Sequence, residues 1–457
     1  MGVSTPIQYA ANVEAQGQTD GVKTGRGQHF RVATRLALLF VSLAYLAQIA
    51  SPLRIVGDGE DYLLQASSAA DGNGFRYHGQ QSMRPPGYPA LIFLLLKAGI
   101  GKSWAIVALN CLLLGIGCWA SYFVLRRSFG LKVATAEFIC LLTLLSFVMV
   151  KHVTYPLSDV PFFGLSMPCL LVLLQAESDS TWRRYWRLAL AAPLLLLCFE
   201  VRTIGIALVP ALVWSLVGGV AGAKKVAAWL RQHVITAFVL LLPLLTALGW
   251  AWILFLHSRY LLFNLNTLHR RGLIGNFLWD LTAHATEWGE MVVNAPLSKL
   301  PAALALPVQI AGFLVLPLWV MGMWERRRKL EALDWYVLGF AAIVLAYPWA
   351  DTRLWLPLLP LLIAYVLTGA KRIVPSRLLR PAGVAYCSLF CLLGITALGY
   401  TTRLTFAGTR FPDLYGDGTL RATYRAAFLE GPAENPRDIR PDAMYLLHRY
   451  EWRLASK

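Results

Sequence analysis

The sequence predicts an all-α polytopic membrane protein, and three observations carry that expectation. Its 457 residues are 57% hydrophobic and only 15% charged, too apolar for a soluble globule with an ordinary polar surface. Apolar runs long enough to cross a bilayer recur along nearly the whole chain. The formal net charge of +17 falls in short clusters between those runs, the pattern of membrane topology rather than of a nucleic-acid-binding stripe.

The elements follow in order. Residues 1–32 read as a cytoplasmic tail, polar and Gly-rich through residue 30. This is a long n-region for a cleavable signal, so "LAQIAS" after the first run is not taken as a cleavage site. Spans are predicted at about 33–51, 103–125, 131–150, 161–176, 186–200, 203–220, 232–256, 303–324, 335–349, 354–370 and 382–400. Every second connection is short and basic: "RRSFGLK", "TWRRYWR", "AKKVAAWLR", "ERRRK" and "KRIVPSRLLR". All five share a side with Lys23, Arg26 and Arg31, and the positive-inside rule makes that side the cytoplasm. The C-terminal segment 401–457 then lies outside.

The segment "GYPALIFLLLKAGI" (87–100) is apolar but short. Were it to cross, every later basic loop would flip outside, so it is laid along the outer surface, with Pro85, Pro86 and Pro89 at its start. A second surface helix is predicted at 60–70, where Tyr62, Leu63 and Ala66 have helical spacing, ended by "DGNG" at 71–74. The outer face thus carries long loops at 52–102 and 257–300. The seven cysteines all lie in apolar runs without CxxC spacing, and read as small lipid- or core-facing residues. No internal repeat of the kind that marks many secondary transporters is evident.

Against this topology, ionisable groups gather at the outer helix ends: Asp58, Glu60, Asp61, Arg84, Lys151, His152, Asp159, Glu200, Arg202, Asp351 and Arg353. Any one alone reads as an interfacial charge that snorkels, the preferred reading for Lys151, His152, Glu60 and Asp61. Together they suggest a cavity at the outer leaflet lined by both signs. Its arginines would suit a phosphate, and a carboxylate would suit a general base.

Five segments carry a resemblance. "DGEDY" (58–62, with Asp58 and Tyr62 as D-x-x-x-Y), "MRPPGYPALI" (83–92), "YPLSDVPFF" (155–163), "FEVRTIGIALVP" (199–210) and "DTRLWLPLLPLL" (351–362) stand in order along 33–370. They resemble motifs of the GT-C glycosyltransferases that use polyprenyl-phosphate sugars: the ArnT-like aminoarabinose transferases, the protein O-mannosyltransferases and their bacterial family 39 relatives. Gly59 follows Asp58 where many relatives have an acid, and Met83 precedes Arg84 where an acid is common in aminoarabinose transferases. These departures leave the sugar open. The tail 401–457 is not covered.

The resemblance implies a GT-C-type bundle of about 11 transmembrane helices over 33–400, with juxtamembrane helices in the first outer loop, in a bacterial cytoplasmic (inner) membrane. It implies an inverting sugar transfer from a polyprenyl-phosphate donor to a hydroxyl acceptor. Asp58 would be the general base, and Arg84, Arg202 and Arg353 would hold the donor phosphate. Asp159 would orient Arg84 or Arg202, or share the base role, while Tyr62 would pack under the first loop or sit as an interfacial tyrosine. No cofactor is obligatory on this reading; Asp58 and Asp159 would hold a divalent metal only if they converge. The alternatives are a transporter or flippase for a lipid-linked sugar, an O-antigen ligase or polymerase, and a non-catalytic scaffold. Glu287, Glu290, His269, His284 and Trp288 read as an ordinary amphipathic outer loop, and His78 as a surface residue.

Overall fold

The structure is a computed structural model that describes residues 25–82, 84–179, 181–219, 272–429 and 436–454, with isolated positions between 224 and 269. The predicted span 232–256, with Arg231, Lys23 and Met83, lies outside the described residues. The other ten predicted spans fall on helices.

The chain opens with α1 (Gly25–Ala47), followed by two helices of the first long loop, α2 (Gly57–Ala70) and α3 (Gly87–Lys97). A hairpin of β1 (Arg76–Tyr77) and β2 (Gln80–Gln81) lies between them and forms the one sheet among the described residues. The "DGNG" stop works as its composition requires: Asp71 caps α2, and Gly72 and Gly74 turn the chain at positive φ. Next come α4 (Ser103–Ser128), the broken pair α5 (Val133–Leu144) and α6 (Phe147–His152), α7 (Asp159–Ser178), α8 (Thr181–Val201) and α9 (Leu208–Val217). After the undescribed stretch follow α10 (Leu273–Val293), α11 (Ala305–Arg326), α12 (Ala332–Leu345), α13 (Leu359–Ile373) and α14 (Ser376–Thr405). The tail supplies α15 (Phe411–Tyr415), α16 (Gly418–Leu429) and α17 (Pro441–Tyr450).

Among the described residues, six segments are long and apolar enough to cross a bilayer: Gln28–Ala50, Ser103–Ser128, Asp159–Ser178, Ala302–Arg326, Thr352–Ile373 and Ser376–Thr405. They divide into core and rim. Asp159–Ser178 is 78% buried and Thr352–Ile373 72%, whereas the first span is 22% buried and the last 17%. The rim helices turn residues such as Leu36, Phe40, Leu389 and Leu392 outward, an arrangement stable only where the surroundings are as apolar as the side chains.

Specific polar groups fix the bundle. The break between α5 and α6 leaves backbone groups unpaired, and Asn294 takes them. Its Oδ1 accepts the Phe147 N–H at 2.7 Å, while its Nδ2 donates to Leu145 O at 3.0 Å and to Phe390 O at 2.9 Å. At the opposite end, Arg326 of the "ERRRK" loop is a buried structural charge: Asp334 (2.9 Å) and Glu331 (2.8 Å) pair with it.

Candidate active site

The site is built where loop 52–102 meets the turns before α7, α9 and α13. Val56 is extended, and α2 starts at Gly57, so Asp58 sits in the first helical turn, where the helix dipole favours a carboxylate. Its two oxygens are held by different segments. Arg84 Nη2 donates to Oδ1 at 2.7 Å and Arg353 Nη2 to Oδ2 at 2.5 Å. Each arginine has a further acid: Asp61 Oδ2 lies 2.7 Å from Arg84 Nε, and Asp351 Oδ2 lies 2.7 Å from Arg353 Nε. Asp351 also caps its own turn, accepting the Arg353 N–H at 3.1 Å.

A second pair stands beside this group. Asp159, the buried first residue of α7, pairs with Arg202 at the turn after α8. Of the two arginines proposed for Asp159, the structure gives it Arg202. Tyr62 joins the two groups. One helical turn after Asp58, its hydroxyl lies 3.0 Å from Ser158 Oγ, next to Asp159. The Arg84 guanidinium lies over its ring at 5.5 Å, and Tyr88 meets it edge-on at 5.4 Å. Tyr62 is buried, so it is a packed support and not an interfacial tyrosine.

Electrostatics follow from this geometry. Burial would push the Asp58 carboxyl up; the Arg84 and Arg353 guanidiniums outweigh it and hold the carboxyl down at about 2. Burial likewise opposes the Arg84 charge, but Asp58 and Asp61 win and its pKa is raised. Asp58 is therefore an anion clamped between two cations.

Gly59, which follows Asp58, has a packing reason. A Cβ there would stand 2.9 Å from Pro156 Cγ and 3.1 Å from Pro156 O. The glycine lets α2 press directly on the "YPLSD" tip that ends in Asp159.

Comparison with known proteins adds one finding. No family model and no curated protein matches the chain in sequence. Among solved structures it is similar to ArnT from Cupriavidus metallidurans bound to undecaprenyl phosphate, with a TM-score of 0.52 and 14% identity over 94% of this chain and 86% of that one. The chain has the ArnT fold. The apo state of the same protein aligns over 93% of this chain and 85% of that one, at 14% identity and a TM-score of 0.49. At such identity the ArnT likeness speaks for the fold alone, and the chemistry rests on the side chains above.

Within this ArnT-fold chain, several residues sit otherwise than their sequence context suggests. Glu60 is not on a solvent face: it is buried and paired with Arg440 of the tail. Asp61 faces Arg84, not solvent. His284 and Glu287 of α10 are buried together, Nδ1 to Oε2 at 2.7 Å, and Trp288 is buried with them. The i, i+3 spacing of 284 and 287 could have signalled one buried face. His78 lies 3.3 Å from Asp442 of the tail, outside the cluster. His152 bonds its own helix at Val148 O, and the Glu200 side chain is exposed; neither joins the site. Among the described residues, no group of three His, Cys, Asp or Glu side chains is placed to hold a metal ion.

Proposed function

We propose that the chain is an integral membrane glycosyltransferase that moves a sugar from a polyprenyl-phosphate donor to a hydroxyl acceptor at the outer face of the membrane. One observation carries the reading: a single carboxylate, Asp58, whose oxygens are shared by two arginines from distant segments, at the mouth of an ArnT-fold bundle. The solved ArnT is described as bound to undecaprenyl phosphate, which supports a lipid phosphate as the ligand of these arginines.

The low carboxyl pKa of Asp58 bears on its task. Clamped between two guanidiniums, Asp58 is a poor base. A donor phosphate presents the same paired oxygens to Arg84 and Arg353 and competes for them. Once the phosphate has the arginines, Asp58 loses the charges that depress it, and its pKa rises toward the usual carboxylate range. It then accepts the proton of the acceptor hydroxyl as that oxygen bonds to the anomeric carbon. The bond from that carbon to the phosphate oxygen breaks, and the configuration inverts. The leaving lipid phosphate takes the electron pair and gains a charge, which Arg84 and Arg353 stabilise more in the transition state than in the bound donor. Arg202, kept in place by Asp159, extends the cationic wall. The arginines compensate the leaving group, so the proposal requires no metal.

The test uses purified full-length protein in lipid nanodiscs. Asp58→Asn should lower transfer from polyprenyl-phosphate sugar donors by roughly 100-fold or more. It should also bind undecaprenyl phosphate as tightly as wild type or tighter, because the competing carboxylate is gone. Arg84→Ala and Arg353→Ala should each weaken that binding by roughly 10- to 100-fold. Wild-type transfer by Asp58→Asn would remove Asp58 from the base role. Normal lipid-phosphate binding by both arginine variants would remove the donor assignment.

A further inference from the structure

The turn that presents Arg353 has anchors besides Asp58, and they come from α10. Thr352 Oγ1 donates to Glu290 Oε2, and Trp355 Nε1 donates to Glu287 Oε2 at 2.9 Å. Thr352, just before Arg353, and Trp355, two residues after it, are thus both fixed to one face of one helix. That face is itself held. His284 Nδ1 lies 2.7 Å from Glu287 Oε2, and the Leu297 N–H donates to Glu290 Oε1 at 2.6 Å. Trp288 packs edge-on against Trp355 with ring centres 4.9 Å apart. The helix α10 also lies close against α11: a Cβ at Gly289 would overlap the Val308 carbonyl, and one at Gly312 the Ala285 carbonyl.

Burying carboxylates is costly, and apolar contacts between tryptophans would press the turn against the bundle without that cost. Directional bonds to Thr352 and Trp355 do something apolar contact cannot: they set the rotation of the turn, and with it the direction in which Arg353 projects. Glu287 has 3% of its surface exposed and Trp355 none, so the bond between them does not compete with water.

We propose that Glu287 and Glu290 are positioning residues for the lipid-phosphate site, acting through Thr352 and Trp355 on the placement of Arg353. The proposal rests on Arg353 being a phosphate ligand. Loosening the turn then weakens lipid-phosphate binding only where Arg353 is present to be misplaced.

The experiment is a double-mutant cycle on the full chain in nanodiscs, read as affinity for undecaprenyl phosphate. Thr352→Val, which removes a donor while keeping the shape, and Trp355→Phe, which removes the indole N–H with part of the ring, should each weaken binding about tenfold in the wild-type background. In the Arg353→Ala background they should have almost no further effect. Thr352→Ser, which keeps the hydroxyl, should retain wild-type affinity and serves even if Trp355→Phe does not fold. Equal weakening with and without Arg353, or a Thr352→Val protein that binds as wild type, would overturn the proposal. An Arg353→Ala protein with unchanged affinity would instead overturn the reading of Arg353 itself, and the inference with it.

Discussion

At Asp58 the balance of burial against two guanidiniums sets a pH dependence that can be worked out by sign. The folded-state carboxyl is held at about 2, below the roughly 3.9 of an unfolded aspartate. Its contribution to stability is therefore full above about pH 4 and is lost as pH falls from there through about 2. Acid unfolding of wild type and of Asp58→Asn in detergent should converge in that window, because wild type loses its advantage there; a difference that stays constant through it would mean that Arg84 and Arg353 do not hold the Asp58 carboxyl down. Gly59 makes a second case in which magnitudes decide. Helix propensity alone would make Gly59→Ala stabilising by roughly 1 kcal/mol. The Cβ would meet Pro156 Cγ at 2.9 Å and the Pro156 carbonyl at 3.1 Å, and overpacking against backbone costs about 1 to 3 kcal/mol. The net expectation is a less stable protein with slower transfer, because α2 and Asp58 must shift; a higher thermal midpoint would show that the contact yields. Resemblance to a D-x-x-x-Y motif singled out Asp58 and Tyr62 in the sequence, and α2 sets them one turn apart. It could not show that Asp61 faces Arg84, because that depends on where a distant loop returns.

The elements around the site show the same division. Both helices of the first loop were legible, α2 from its apolar spacing and glycine stop, α3 from its length and prolines. The tail was not legible, because its contacts are single polar groups at long separation. Tyr424 is fully buried; its hydroxyl donates to Leu53 O at 2.7 Å and accepts the Ile55 N–H at 2.9 Å. Glu451 accepts the Leu53 N–H at 2.5 Å, and burial pushes its carboxyl up. The hydroxyl of Tyr450 lies 2.9 Å from Ser67 Oγ, and Arg449 pairs with Asp71 at 2.8 Å. The tail is therefore the clasp of the segment that leads into Asp58. Tyr424→Phe leaves a buried N–H and a buried carbonyl without partners, which costs about 1 to 3 kcal/mol. Its unfolding free energy should fall by that amount, and kcat should fall with it because Ile55 lies just ahead of Asp58. Unchanged stability would show that the loop does not depend on the tail.

At the scale of the whole molecule, one ion pair constrains the topology. Asp58 and Arg353 touch, so loop 52–102 and the turn before α13 share one side of the membrane, and the chain between them must cross an even number of times. The sequence predicts eight crossings there. Seven fall on helices from α4 to α12, and the eighth, 232–256, lies outside the described residues. Eight is even, as the ion pair requires. Charge placement sets the absolute direction: basic loops at one face, Asp58 and its partners at the other, with the buried Arg326 a structural exception among the basic set. Single cysteines test this direction in a background whose seven native cysteines are replaced. Thr409 and Arg328 are both exposed. A membrane-impermeant thiol reagent applied to intact cells or spheroplasts should label Thr409→Cys and leave Arg328→Cys untouched until the membrane is opened. Reversed labelling would put Asp58 on the cytoplasmic side, and sugar transfer at the outer face would then be excluded. Labelling of both positions from one side would contradict the odd number of crossings, 335–349, 354–370 and 382–400, predicted between them.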